Sequence, residues 1–188
     1  MREYVKLKGH GKTGEYFFNF YEEIFIPLRD YKLNLLEIGI GNGNSLKLWK
    51  QYFMLADIWG LDIRPECKNY EEDRITIIIG DQTDKELLIT LPPFDIIIDD
   101  GGHTMEQQQV SFEVLYPKLN KGGWYFIEDL NTSYGGEEQD KYKGKSTVEF
   151  LKALLDNVIL PVGMLLPNYP DWQVSEMRFV SCLVGIKK

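Results

Sequence analysis

The chain has 188 residues, 44% hydrophobic and 27% charged, and carries a net charge of −8 at pH 7. That length suits one domain with a substantial core. The acidic balance argues against nucleic acid as the main partner, because phosphate contacts need a basic patch, and no apolar run approaches the length of a membrane span. Two cysteines, Cys67 and Cys182, lie far apart without metal-ligand spacing, as expected of reduced thiols in the cytoplasm. Residues 1–6 lack the apolar run of a signal peptide.

Residues 1–14 are polar and glycine-bearing, include His10, and read as a loose arm. From 15 to 25 the apolar residues Phe17, Tyr21 and Ile24 share a helical face, and Pro27 ends or kinks that helix. Residues 1–32 are therefore expected to form an arm and helix on the substrate side, ahead of one domain over 33–188. That domain opens with a strand over 33–38 and a helix over 45–53. Strands over 58–62 and 74–79 follow. Thr83 with Glu86 forms a capping box for a helix to 91, which Pro92-Pro93 stops. After a strand over 94–98, Thr104 and Gln107 form a second capping box for a helix to 116. Residues 120–123 read as a turn and 124–127 as the fifth strand. The glycine-rich, charged stretch 131–145 reads as a mobile loop with Gly135-Gly136 as a hinge. Ser146 and Glu149 cap a helix through 158, residues 161–170 are irregular, and 174–179 with 182–186 make a hairpin. Alternating strands and helices imply a largely parallel α/β sheet with helices on both faces, and the hairpin adds an antiparallel strand.

The first strand runs into Glu37-Ile38-Gly39-Ile40-Gly41-Asn42-Gly43-Asn44-Ser45. A buried strand, a glycine turn and a helix N-terminus form the opening of a nucleotide-binding unit. Glycine allows the tight turn and the close approach of a ligand, and the helix start offers free N–H groups. The dinucleotide fingerprint is G-x-G-x-x-G. Here the glycines fall at every second position, and the third dinucleotide position is Asn44.

Ligands of open α/β sheets lie outside the carboxyl ends of the strands, and acids cluster there. Asp62 ends the second strand, where a carboxylate can accept both hydroxyls of a ribose. Asp81-Gln82 follows the third strand. Asp99-Asp100 and Glu128-Asp129 end the fourth and fifth, which lie only about 4.8 Å apart if they are parallel neighbours. Acids so gathered repel unless a cation neutralises them, and an oxygen-only set suits Mg²⁺. Gly101-Gly102 lets the chain fold back, so that His103 can face the same pocket as a general base.

The E-x-G-x-G-x-G form resembles the first motif of class I S-adenosylmethionine (SAM) methyltransferases, in which the acid serves the cationic end of the cofactor. The runs Leu35-Leu36-Glu37-Ile38-Gly39, Ile96-Ile97-Ile98-Asp99-Asp100-Gly101-Gly102-His103 and Ile127-Glu128-Asp129-Leu130-Asn131-Thr132-Ser133-Tyr134 resemble the macrolide-pathway sugar O-methyltransferases of the macrocin and mycinamicin type. The resemblance implies a Rossmann-like fold with a seven-stranded, mostly parallel sheet. It implies a SAM site of Glu37, Gly39, Gly41, Gly43, Ser45, Asp62, Ile63, Asp81, Gln82 and Asp99, with Asp81 at the adenine amino group and Ile63 against the ring. It further implies Mg²⁺ held by Asp100, Glu128 and Asp129, with His103 as the base beside the catalytic Asp100. Gly102 stands where the family has serine, and Glu15 and Phe17 replace an expected histidine and tyrosine. The implied reaction is Mg²⁺-dependent O-methylation of a sugar or other vicinal diol by a cytoplasmic enzyme, with neither nucleic acid nor membrane as partner and a homo-oligomer left open. A hydroxylase-like relative on the same scaffold (the cephalosporin-hydroxylase type), an NAD-binding oxidoreductase and a non-catalytic SAM-binding protein are the alternatives.

Overall fold

A computed structural model describes residues 15–135, 141–159 and 172–188. The arm over 1–14 with His10, Gly136 of the proposed hinge and the irregular stretch 161–170 lie outside the described residues. Helix α1 spans Glu15–Phe25 and ends just before Pro27, which sits in a single turn of 3-10 helix. Strand β1 (Asn34–Ile38) leads through the glycine turn into α2 (Asn44–Tyr52). Then come β2 (Asp57–Asp62), β3 (Ile75–Ile79), α3 (Lys85–Thr90), β4 (Phe94–Asp99) and α4 (Met105–Leu115). Strand β5 (Leu119–Ile127), α5 (Thr147–Ile159) and the hairpin β6 (Glu176–Val180) and β7 (Leu183–Lys187) complete the order.

The strands form one sheet in the order β3-β2-β1-β4-β5-β7-β6. The first five are mutually parallel, and β7 runs antiparallel to both neighbours. Side chains alternate across this sheet and divide its core in two. Leu35, Ile58, Ile96, Ile98 and Phe126 pack against Tyr21 and Phe25 of α1 and Trp49 and Tyr52 of α2. Leu36, Ile97, Tyr125 and Ile127 pack on the other face against Leu88, Phe112, Leu115 and Leu151 of α3, α4 and α5. Strand order reverses at β1, between β2 and β4, which is where an open α/β sheet leaves a crevice for a ligand.

Two local readings are corrected. Residues 120–123 are not a turn but part of β5, where the pairing with β4 shifts register between Phe94 and Ile96. The glycines make a bulge there: Gly122 takes φ +81°, and a Cβ on Gly123 would lie 2.7 Å from the Asp95 carbonyl oxygen. The Gly122 N–H and Gly123 carbonyl pair with Lys188, so the ladder continues through them. The first capping box is also displaced. Asp81 Oδ1 accepts from both the Thr83 N–H and its hydroxyl at 2.8 Å. Thr83 is thereby engaged, and Asp84 caps α3 by accepting from the Leu87 N–H at 3.0 Å. The boxes at Thr104–Gln107 and Ser146–Glu149 both form as reciprocal pairs. The loop after β5 is in part ordered structure: Leu130–Tyr134 is a 3-10 turn, and Tyr142 and Lys145 bridge each other.

Candidate active site

A cavity of about 390 Å³ opens at the carboxyl edge of β1, β2, β3 and β4. Its wall includes Gly39, Gly41, Asp62, Ile63, Arg64, Asp81, Gln82, Asp100 and Gly102. Of the residues proposed for a cofactor, Glu37, Gly43, Ser45 and Asp99 are not part of that wall. The three glycines of the turn all adopt positive φ, but they do different work. A Cβ on Gly39 would sit 2.1 Å from the Asp100 carbonyl oxygen, and one on Gly43 would meet the Tyr70 ring at 2.7 Å. Both positions are packed from within the protein. Around Gly41 a Cβ would meet nothing within 4 Å, so its bare backbone faces the cavity.

At the mouth of this cavity Asp62 is almost buried and accepts four hydrogen bonds. The Gly41 N–H reaches Oδ2 at 3.3 Å, and the Arg64 N–H reaches Oδ1 at 3.0 Å. Arg64 Nε and Nη2 add bonds of 3.0 and 3.1 Å. Burial alone would raise the Asp62 pKa, but these donors outweigh it and hold the carboxyl below its usual range. Gln82 bonds the Gly102 N–H through its oxygen at 2.8 Å and donates to Asp99 Oδ1 at 3.1 Å. Asp99 also accepts from the hydroxyls of Ser111 and Tyr125. These bonds brace the Gly101-Gly102 turn from behind, and burial pushes the Asp99 carboxyl up to about 6. Ile63, 64% exposed, presents an apolar surface at the rim.

Beyond the turn, one ligand atom from each of Asp100, His103 and Asp129 falls within 4.8 Å of the others. His103 Nε2 lies 3.4 Å from Asp129 Oδ2, and its Nδ1 is buried without a hydrogen-bond partner among the described residues. His103 and Asp129 both hold left-handed backbones, φ +59° and +55°, a costly conformation for residues with a Cβ that is typical of functional sites. The two carboxylates offer oxygen ligands suited to a hard divalent cation, and the imidazole stands beside them. The four acids proposed at the strand ends therefore do not all converge. Alternation sends Asp99 to the α4 side and Glu128 to the α1 side. Glu128 is buried, and the Tyr21 hydroxyl donates to its Oε1 at 2.7 Å. Burial, followed by the Glu128, Asp100 and Glu37 carboxylates, pushes the Tyr21 phenol well above its usual pKa and keeps it a neutral donor. Tyr21 and Arg64 are the site residues that sequence reasoning passed over: Tyr21 counted only as part of an apolar helix face, and Arg64 carried no motif.

No family model matches the chain. Demethylmacrocin O-methyltransferase of Streptomyces fradiae is 38% identical over 187 residues, a match covering 89% of this chain and 47% of that protein. The 8-demethyl-8-(2-methoxy-alpha-L-rhamnosyl)-tetracenomycin-C 3'-O-methyltransferase of Streptomyces olivaceus is 37% identical, with 83% and 41% covered. Among solved structures, MycE methyltransferase from the mycinamycin pathway, in complex with Mg, SAH (S-adenosylhomocysteine) and mycinamycin VI, superposes with a TM-score of 0.82 at 32% identity. That match covers 94% of this chain and 50% of MycE. The chain thus spans about half the length of the relatives it matches. By fold and sequence it belongs to the class I SAM-dependent methyltransferases. Within that class, it is similar to O-methyltransferases named for demethylmacrocin, mycinamicin and rhamnosyl-tetracenomycin substrates.

Proposed function

We propose that the chain is the methyl-transfer domain of a Mg²⁺-dependent sugar O-methyltransferase that acts on a glycosylated small molecule. The observation that carries this reading is the cluster of Asp100, His103 and Asp129 beside a cavity walled by Gly41, Asp62 and Asp81. Gly41 and Asp62 would hold the ribose of SAM, Asp81 and Ile63 its adenine, and buried Glu37 would face its cationic end from behind the glycine turn. Asp100 and Asp129, with Glu128 behind them, would hold the cation. Mg²⁺, when bound, supplies charge that lowers the pKa of an adjacent hydroxyl. SAM supplies the methyl group. His103 Nε2, facing Asp129, would take the hydroxyl proton. Most of the acceleration would come from holding the oxygen in line with the methyl group.

The test is methyl transfer from labelled SAM to a panel of glycosylated macrolides and free sugars, with and without EDTA. Labelled product that disappears with EDTA supports the reading. Product formed equally in EDTA removes the metal. Tight NAD binding without SAM binding would replace a transferase by an oxidoreductase, and SAM binding without any product leaves a binding protein. The reading places the protein in the cytoplasm, in keeping with its two free cysteines. No helix among the described residues is long and apolar enough to cross a membrane.

A further inference from the structure

The acceptor capacity of Asp62 is full. A carboxylate offers two lone-pair sites on each oxygen, and here each oxygen already takes two donors. Oδ1 takes the Arg64 N–H and Nε, and Oδ2 takes the Gly41 N–H and Arg64 Nη2. Two of the four donors are backbone groups that the fold fixes. The other two belong to one side chain and fall one on each oxygen. A ribose presents the same pattern, two adjacent hydroxyl donors for the two oxygens of one carboxylate.

We propose that Arg64 is a built-in competitor for the ribose subsite, which a nucleoside ligand enters by displacing the guanidinium from Asp62, two donors for two. The proposal rests on the reading of the cavity as a SAM site. The Arg64 side chain is 47% exposed and can swing into water, while its backbone N–H remains on Asp62. The same movement frees the Gly41 carbonyl, to which Arg64 Nη2 donates at 2.7 Å, and Cys67 Sγ, which it reaches at 3.3 Å, while the Gly41 N–H stays on Asp62. Arg64 therefore adds a side-chain tie between the β2 end and the glycine turn until a ligand with two adjacent hydroxyls takes its place. It sets affinity, and it favours ribosides over deoxyribosides, which replace only one of the two bonds.

The experiment is calorimetric titration of the whole chain with SAH, comparing wild type, Arg64→Ala, Arg64→Lys and Asp62→Ala at low and high salt. Arg64→Ala should tighten SAH by about three- to tenfold, the modest worth of a half-exposed ion pair with good geometry. Wild-type affinity should rise with salt as the ion pair is screened, and that of Arg64→Ala should not. Arg64→Lys should fall between them, since one ammonium cannot cover both oxygens. The Arg64 Nε–H resonance in ¹⁵N spectra should lose its hydrogen-bonded shift when SAH binds. Weaker or unchanged SAH binding in Arg64→Ala, with Asp62→Ala still strongly impaired, overturns the competitor and leaves the SAM site standing. Equal binding by wild type and Asp62→Ala, or none by either, overturns both.

Discussion

Tyr21 and Asp99 are both buried at the carboxyl edge of the sheet, and they handle a charge out of water in opposite ways. Tyr21 is the neutral partner of a buried carboxylate, and its 2.7 Å bond to Glu128 satisfies one of that group's oxygens. Tyr21→Phe keeps the ring among Phe25, Trp49 and Phe126 and removes only the donor. It should cost about 1–3 kcal/mol of stability, the price of a charged group losing a buried hydrogen bond, read from urea unfolding. Asp99 is the charge itself, ringed by neutral donors that only partly offset its burial, and its pKa rises from 3.8 to about 6. A carboxyl whose folded pKa lies above its unfolded one contributes stability in full below the unfolded value, and the contribution is lost as pH rises through the folded value. The whole contribution is on the order of 3 kcal/mol, of which about 1 kcal/mol falls between pH 5 and 8. Asp99→Asn should therefore lose less stability than wild type over that interval. Parallel unfolding curves at pH 5 and pH 8 for the two proteins would show that Asp99 titrates normally.

At the scale of elements, the turn between β1 and α2 separates glycines that build the fold from one that faces the open cavity. In Gly39→Ala the new methyl would fall 2.1 Å from a backbone oxygen at φ +80°, and neither atom can yield. It should destabilise by more than about 3 kcal/mol, beyond the range of an ordinary point change. Gly41→Ala has open space, so it should cost only the left-handed backbone, about 1–2 kcal/mol, yet its methyl enters the cavity. We expect a folded protein with weakened SAH binding, measured by calorimetry beside a thermal melt. Wild-type affinity would place the cofactor elsewhere. Such differences are not legible in sequence, because G-x-G-x-G gives the same letter to three environments. What was legible is local: the apolar period of α1, the reciprocal boxes at Thr104 and Ser146, and the strands that precede each acid. Where two local signals compete, sequence reading chose the commoner one. Gly122-Gly123 reads as a turn until pairing with Lys188 across the sheet makes it a bulge. Thr83 reads as a cap until Asp81 engages it.

Across the whole molecule, the site is assembled from the ends of strands and the helices over them, and its legibility follows that geometry. Acids at the ends of parallel strands must share one edge of the sheet, so Asp62, Asp81, Asp100 and Asp129 could be placed from order alone. Which of two adjacent acids faces the site depends on alternation and on distant partners, and Tyr21 lies 107 positions from the Glu128 it holds. This division of labour predicts separable defects. Asp100→Asn removes a charge from the pair of carboxylates that Asp100 and Asp129 form beside His103. It should weaken Mn²⁺ binding, followed by electron paramagnetic resonance, and its methyl-transfer rate should recover in part with excess Mg²⁺, because the other acids remain. His103→Ala removes no negative charge and lies outside the cavity wall. It should leave SAH and Mn²⁺ affinity nearly intact and lower the transfer rate about a hundredfold, the usual worth of a positioned general base. Added Mg²⁺ should not restore that rate, whereas raising the pH should in part, as more of the acceptor hydroxyl ionises unaided. A His103→Ala protein that turns over its true acceptor at the wild-type rate would mean that some other group takes the proton, and the left-handed backbone at His103 would then need another explanation.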